Sequence, residues 1–205
     1  GYKTGRLYTK EEINELLWEN NTEFRRSLDP GGHGTAVSGI VTGNGQENID
    51  NRGAAWQSDI LFVKLGTPGE RSFPRTSELM TAVDYMVKTA ARRGQPIAVN
   101  ISFGNNYGSH NGDSILSSYL DIAADYGRNV ICIGTGNEGD MAHHASGIWE
   151  EGRLQVTELA VQTAQTAFNV QMFMQYEDQV VFALVHPDGQ QFAVIDGQPG
   201  THKYR

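Results

Sequence analysis

Residues 31–43 read Gly-Gly-His-Gly-Thr-Ala-Val-Ser-Gly-Ile-Val-Thr-Gly, and how this stretch is read decides the fold. Two glycines precede His33, and small and apolar residues follow it at helical spacing. Such a segment is expected to form a helix that begins near the histidine, so that the imidazole projects from the helix N-terminus. Gly34, Ala36, Ser38 and Gly39 allow close approach to neighbouring elements, while Val37, Ile40 and Val41 form a stripe expected to be buried. An imidazole placed in this way suits a general base. The same residues also suit a histidine that merely sits beside a glycine turn at a helix start, and the local sequence leaves both readings open.

The flanking chain supplies the context. Residues 9–20 read as a short helix with Thr9 as cap and Glu12 as the other half of a capping box, with Ile13, Leu16 and Leu17 facing inward. Pro30, Gly31 and Gly32 then turn the chain into the histidine helix. Residues 43–53, rich in Asn and Gly, read as a surface loop. From there the pattern alternates: an apolar strand over 60–65, a helix over 78–93 opened by Ser77 and closed by Gly94, and a strand over 97–103. A helix capped by Asp113 and reaching about Tyr126 follows, and then a strand over 129–135. The stripe of the longer helix is Leu79, Val83, Met86, Val87 and Ala90. This β-α-β-α-β order, with strands apolar along their length, implies an α/β fold with a parallel sheet covered by helices. Right-handed crossovers place the strand ends on one edge, where functional groups of such sheets gather.

Two further stretches lie at those strand ends. Asn100-Ile101-Ser102-Phe103-Gly104 closes one strand, and Gly134-Thr135-Gly136-Asn137-Glu138-Gly139 follows the next. Each has an ordinary reading, Asn137 as a turn former and Ser102 with Gly104 as a plain strand end. Gly134, Gly136 and Gly139 also match a dinucleotide fingerprint. That fingerprint needs a helix to start within it, and residues 140–147 carry no apolar helical stripe. The adjacent pair His143 and His144 diverges and lacks a third ligand, so a surface loop is the better reading than a metal site.

Taken together, the three stretches resemble the subtilisin-like serine peptidases, the subtilases. The family's histidine motif is matched by His33, Gly34, Thr35, Val37 and Gly39. Its Asn-x-Ser-x-Gly strand is matched by Asn100, Ser102 and Gly104, and its Gly-Asn-Glu-Gly segment by Gly136, Asn137, Glu138 and Gly139. The motifs come in family order, over residues 29–146. The resemblance implies a three-layer subtilisin-like parallel sheet flanked by helices, and hydrolysis of peptide bonds by an Asp-His-Ser triad. His33 would be the base that takes the serine proton and returns it to the leaving amine. Asn137 would donate its side-chain amide to the oxyanion. Ser102, Phe103 and Gly104 would pair with the substrate backbone, and Gly134, Thr135 and Gly136 would wall the primary pocket, with Glu138 near its rim. Some members bind calcium after the histidine helix. Asn44, Glu47, Asn48 and Asp50 are oxygen donors there, but no spacing among them fixes a site, so no cofactor is expected.

The pattern also departs from the family. The Asp-Ser-Gly or Asp-Thr-Gly strand is missing, and Asp29, four residues before the histidine, stands where the family often has a polar residue that is not catalytic. The Gly-Thr-Ser nucleophile motif is missing too. Beyond residue 150 the character changes to β-rich runs at 154–161, 168–176, 179–186 and 191–195, the last two joined by the Pro187-Asp188-Gly189 turn signal. The expected organisation is a partial peptidase domain over 1–150 and a partial β-sandwich over 151–205. The latter resembles the jelly-roll insertion of a clostridial group of subtilases. The chain thus reads as a central fragment, inactive by itself, whose aspartate precedes Gly1 and whose serine follows Arg205. The other reading is a pseudoprotease that binds peptides or regulates a partner.

Composition narrows the classes further. In 205 residues, 39% hydrophobic content supports a core, and a net charge of -8 argues against non-specific nucleic-acid binding. No apolar run is long enough to span a membrane. The single cysteine, Cys132, excludes an internal disulfide. The expected partner is a peptide or protein substrate; the subtilase resemblance suggests a secreted or extracellular bacterial protein, and the oligomeric state stays open.

Overall fold

The computed structural model describes residues 5–19, 27–66, 75–161, 169–175 and 177–195, in two compact units, residues 1–141 and 142–205. The first unit is built on a parallel pair, β1 (Ile97–Ile101) and β2 (Asn129–Ile133), in register from Ile97 opposite Asn129 to Ile101 opposite Ile133. Two helices supply the covering layer: α3 (Thr76–Arg93) packs on β1, α4 (Ile115–Ala124) packs on β2, and the helices touch each other. The architecture is α/β with a parallel sheet. Val83 is 0% exposed and Val99 2%, and Leu79, Val87, Ile101, Leu120 and Ala123 complete the buried cluster. Along β1 burial alternates, with Val99 and Ile101 covered while Ala98 and Asn100 face out, because the two helices lie against one face.

The stripe of α3 follows the 3.6-residue period, with Leu79, Ala82, Val83, Val87 and Ala90 buried and Met86 packed at the margin. The helix begins two residues earlier than its Ser77 signal suggests. Arg75 is the N-cap residue, and its backbone N–H donates to Glu78 Oε2. At the other end Gly94, with φ +67, allows the left-handed turn that ends the helix. The cap of α4 also differs from expectation. Ser114 rather than Asp113 directly precedes the first helical residue, Ile115, and its side chain accepts the Ser117 N–H. Asp113 instead receives hydrogen bonds from Ser109 and Asn111, whose donors hold its carboxyl below the usual range.

Two further α-helices lie among the described residues of the first unit. Helix α1 (Lys10–Trp18) has its capping box, Glu12 N–H to Thr9 Oγ1 and Thr9 N–H to Glu12 Oε2. The inward stripe does not form: Leu17 is 67% exposed, Ile13 is also exposed, and only Leu16 is half-covered. Helix α2 (His33–Thr42) is likewise open, with Val37 and Val41 half-buried and Ile40 74% exposed. A helical period specifies which residues share a face, but the burial of that face requires a partner surface. Residues 60–65 carry no strand pairing in the described structure, although Leu61, Val63 and Leu65 are half-covered while Phe62 and Lys64 face out. An apolar run becomes a strand only where a neighbouring strand meets its backbone groups.

Among its described residues the second unit contains an antiparallel hairpin, β3 (Phe182–Val185) and β4 (Gln191–Ile195). The turn forms at the expected Pro187-Asp188-Gly189, where Gly189 takes φ +90 and its N–H donates to His186 O at 2.8 Å. Asp188 is held below its usual range by the Gln190 N–H and by His186. Residues 154–161 and 169–175 are not strands, while 168 and 176, the ends of one expected run, lie outside the described residues.

Candidate active site

The histidine helix begins at His33 after Gly32, which takes φ +71 and has no side chain with which to cap. A remote residue does the capping. Asp29 Oδ2 accepts the Thr35 N–H at 2.8 Å and the Thr35 hydroxyl at 2.9 Å, while Gly32 N–H donates to Asp29 O at 3.1 Å. The Thr35 backbone and hydroxyl donors hold the Asp29 carboxyl below its usual value, with a smaller contribution from the Lys64 charge. Lys64 also donates to Leu28 O, tying the 60–65 segment to the turn. The result is a helix start clamped on its upstream side. The exposed imidazole of His33 leaves it, with Nε2 2.9 Å from the carbonyl oxygen of Ser102.

Ser102 stands one residue past the end of β1. Its hydroxyl accepts the Asn100 side-chain amide at 3.0 Å, and its backbone carbonyl faces the histidine. Phe103 turns the other way and packs, half-buried, against the core cluster, so it anchors the strand end. Gly104 is exposed beyond it. The neighbouring segment emerges from β2. Gly134 N–H donates to Ile101 O at 3.2 Å, which carries the parallel pairing one step past the strands, and Thr135 and Gly136 follow it. Gly136, with φ +107, then turns the chain into exposed Asn137 and Glu138, a conformation a side chain would strain. Met141 N–H closes this turn on Glu138 O at 3.1 Å.

The structure therefore brings His33 to Ser102, and the two expected substrate walls to adjacent strand ends. Asp29 and Asn106 acquire structural parts that the sequence reading did not give them. Asn106 Nδ2 donates to Glu138 Oε2 at 2.7 Å, a bond with no local sequence signal. An aspartate upstream of a helix whose own cap is glycine was a signal available for Asp29.

Among the described residues no cluster of three or more His, Cys, Asp or Glu could hold a metal ion, and no helix is long and apolar enough to cross a membrane. The loop that follows the histidine helix is held by its own turns. Asn44 Oδ1 accepts the Gln46 N–H and Asn48 Oδ1 the Asp50 N–H, each at 3.0 Å, so these oxygens already serve the backbone.

Comparison with known proteins adds to this geometry. The model of the subtilase family, peptidase S8, matches residues 6–176. Among solved structures, the chain is similar to the Clostridium perfringens CspB protease, with 37% identity and a TM-score of 0.62. That match covers 68% of this chain and 30% of the other, so the chain spans under a third of that protease's length. A search of curated proteins gave no match.

Proposed function

Because this chain belongs to the subtilase family, we propose that it forms the central part of a serine endopeptidase and supplies the base and oxyanion donor of an Asp-His-Ser enzyme. The observation that carries the reading is His33 at the clamped start of α2, 2.9 Å from the strand end that holds Ser102. In the mechanism His33 takes the proton of a serine outside the 205 residues and gives it to the leaving amine. Asn137 donates its side-chain amide to the oxyanion of the tetrahedral intermediate. Ser102 and Gly104 offer backbone groups to an extended peptide, Phe103 fixes their place, and Gly134, Thr135 and Gly136 leave room for a substrate side chain beside them. The substrate is a peptide or protein, no cofactor takes part, and the enzyme acts outside the cell, as subtilases commonly do.

The second reading, a peptide-binding pseudoprotease, rests on the missing Asp-Ser-Gly and Gly-Thr-Ser motifs. Sequencing the gene on both sides of this segment, then labelling the full product with a serine-reactive fluorophosphonate, decides between them. The peptidase reading expects both motifs, and labelling that His33→Ala abolishes. An open reading frame in which either catalytic residue is replaced would leave the pseudoprotease.

A further inference from the structure

We propose that Asn106 is a positioning residue, whose side-chain amide holds Glu138 and thereby fixes the turn that presents Asn137 to the oxyanion. The inference rests on the peptidase reading above. Asn106 belongs to the loop after β1 and Glu138 to the turn after β2, and the bond between them spans 32 residues of sequence at 2.7 Å. Both ends are themselves held. Asn106 O lies 2.9 Å from His110 Nε2, and Glu138 O accepts the Met141 N–H.

The position of this bond gives it a consequence. Residues 134–138 are tied to the first strand at their near end, by Gly134 N–H to Ile101 O, and at their far end by Asn106 to Glu138. Between the two ties lie Gly136, at φ +107, and Asn137. An exposed turn flanked by glycines has many backbone conformations open to it, and one attachment cannot select among them. A second attachment, charge-assisted because its acceptor is a carboxylate, removes most of that freedom. The oxyanion donor works only if it is already in place when charge develops, and a displacement of about 1 Å can cost much of the rate. Asn106 would thus act through Glu138 on Asn137 without touching substrate.

Two measurements test this. In the complete protease, Asn106→Ala and Glu138→Ala should each lower kcat about tenfold with KM within about twofold. The double variant should be no slower than either single one, since both remove the same bond. Glu138→Gln, which still offers a carbonyl oxygen, should recover most of the loss. Unchanged kcat in Asn106→Ala, or a double variant as slow as the product of the singles, would overturn the proposal. The second measurement needs no activity: 15N relaxation of the Asn137 side-chain amide in this 205-residue chain. Asn106→Ala should make that amide more mobile, whereas Asn105→Ala, which alters a bond to Tyr107 N–H within the same loop, should not. Equal mobility in all three proteins overturns the proposal. Unchanged methyl shifts of Val83 and Val99 would verify that the core is intact. Should the complete wild-type protein prove inactive, the peptidase reading falls, and the relaxation data still decide whether Asn106 holds the turn.

Discussion

His33 Nε2 lies 2.9 Å from the carbonyl oxygen of Ser102, across 69 residues of sequence. A carbonyl only accepts, so in this arrangement Nε2 carries the hydrogen. To take a proton from a serine, the same nitrogen must offer its lone pair. If His33 is the base of the proposed peptidase, this contact must open, or the ring must exchange its proton, before the general-base step. The contact sets the start of α2 beside the end of β1.

If His33 is the base, His33→Ala in the complete protease should lower kcat by about 10⁴-fold or more. Because His33 is exposed and takes no part in the core, circular dichroism of the variant should match wild type. A variant that keeps its turnover would remove the assignment.

Asn137→Ala should reduce kcat by about 10²- to 10³-fold, the cost known for the equivalent loss in a subtilisin, with little change in KM. Steady-state kinetics separate the two parameters. A change confined to KM would make Asn137 a substrate-binding residue.

Asp29→Ala removes the acceptor that the Thr35 N–H and hydroxyl share, and should lower the melting temperature at pH 7. The Asp29 carboxyl is held below its ordinary value in the folded chain, so its contribution is present above the unfolded pKa of about 3.9. That contribution fades as pH falls through the lower, folded value. Thermal melts of wild type and variant should draw together as pH falls below about 4 and meet only below the folded pKa of Asp29. A gap that persists there would mean the carboxylate charge is not what stabilises the helix start.

Val83→Ala should destabilise the first unit by about 2 kcal/mol, since Val83 is fully buried between α3 and the sheet. Urea titration should give a lower midpoint with an unchanged slope. The same substitution at exposed Val130, on β2, should move the midpoint far less.

Legibility differed with the range of the interaction that decides each feature. The stripe of α3 could be read from spacing alone, and only the margin changed, Ala82 taking a buried place and Met86 a peripheral one. The capping box of α1 was equally legible, since Thr9 and Glu12 are three residues apart. Its inward face was not, because nothing in residues 10–18 says what surface will meet Leu17. Residues 60–65 show the same limit for strands, where apolar composition does not supply a hydrogen-bonding neighbour. For α4, Asp113 and Ser114 are both good caps, and one residue of phase separated them.

The sequence by itself determined the alternation of helix and strand over residues 76–133, the hairpin turn at Gly189, and the order of the histidine, Asn-x-Ser-x-Gly and Gly-Asn-Glu-Gly motifs. These depend on periodicity, on positive φ at particular glycines, and on side chains within a few residues of the backbone groups they satisfy. Only the tertiary structure decided that His33 meets Ser102, that Gly134 extends the pairing to Ile101, and that Asn106 reaches Glu138. The Gly134 contact continues the parallel register that sets Ile101 opposite Ile133. Register is a property of two strands and the helix that joins them, so no single stretch of the chain encodes it.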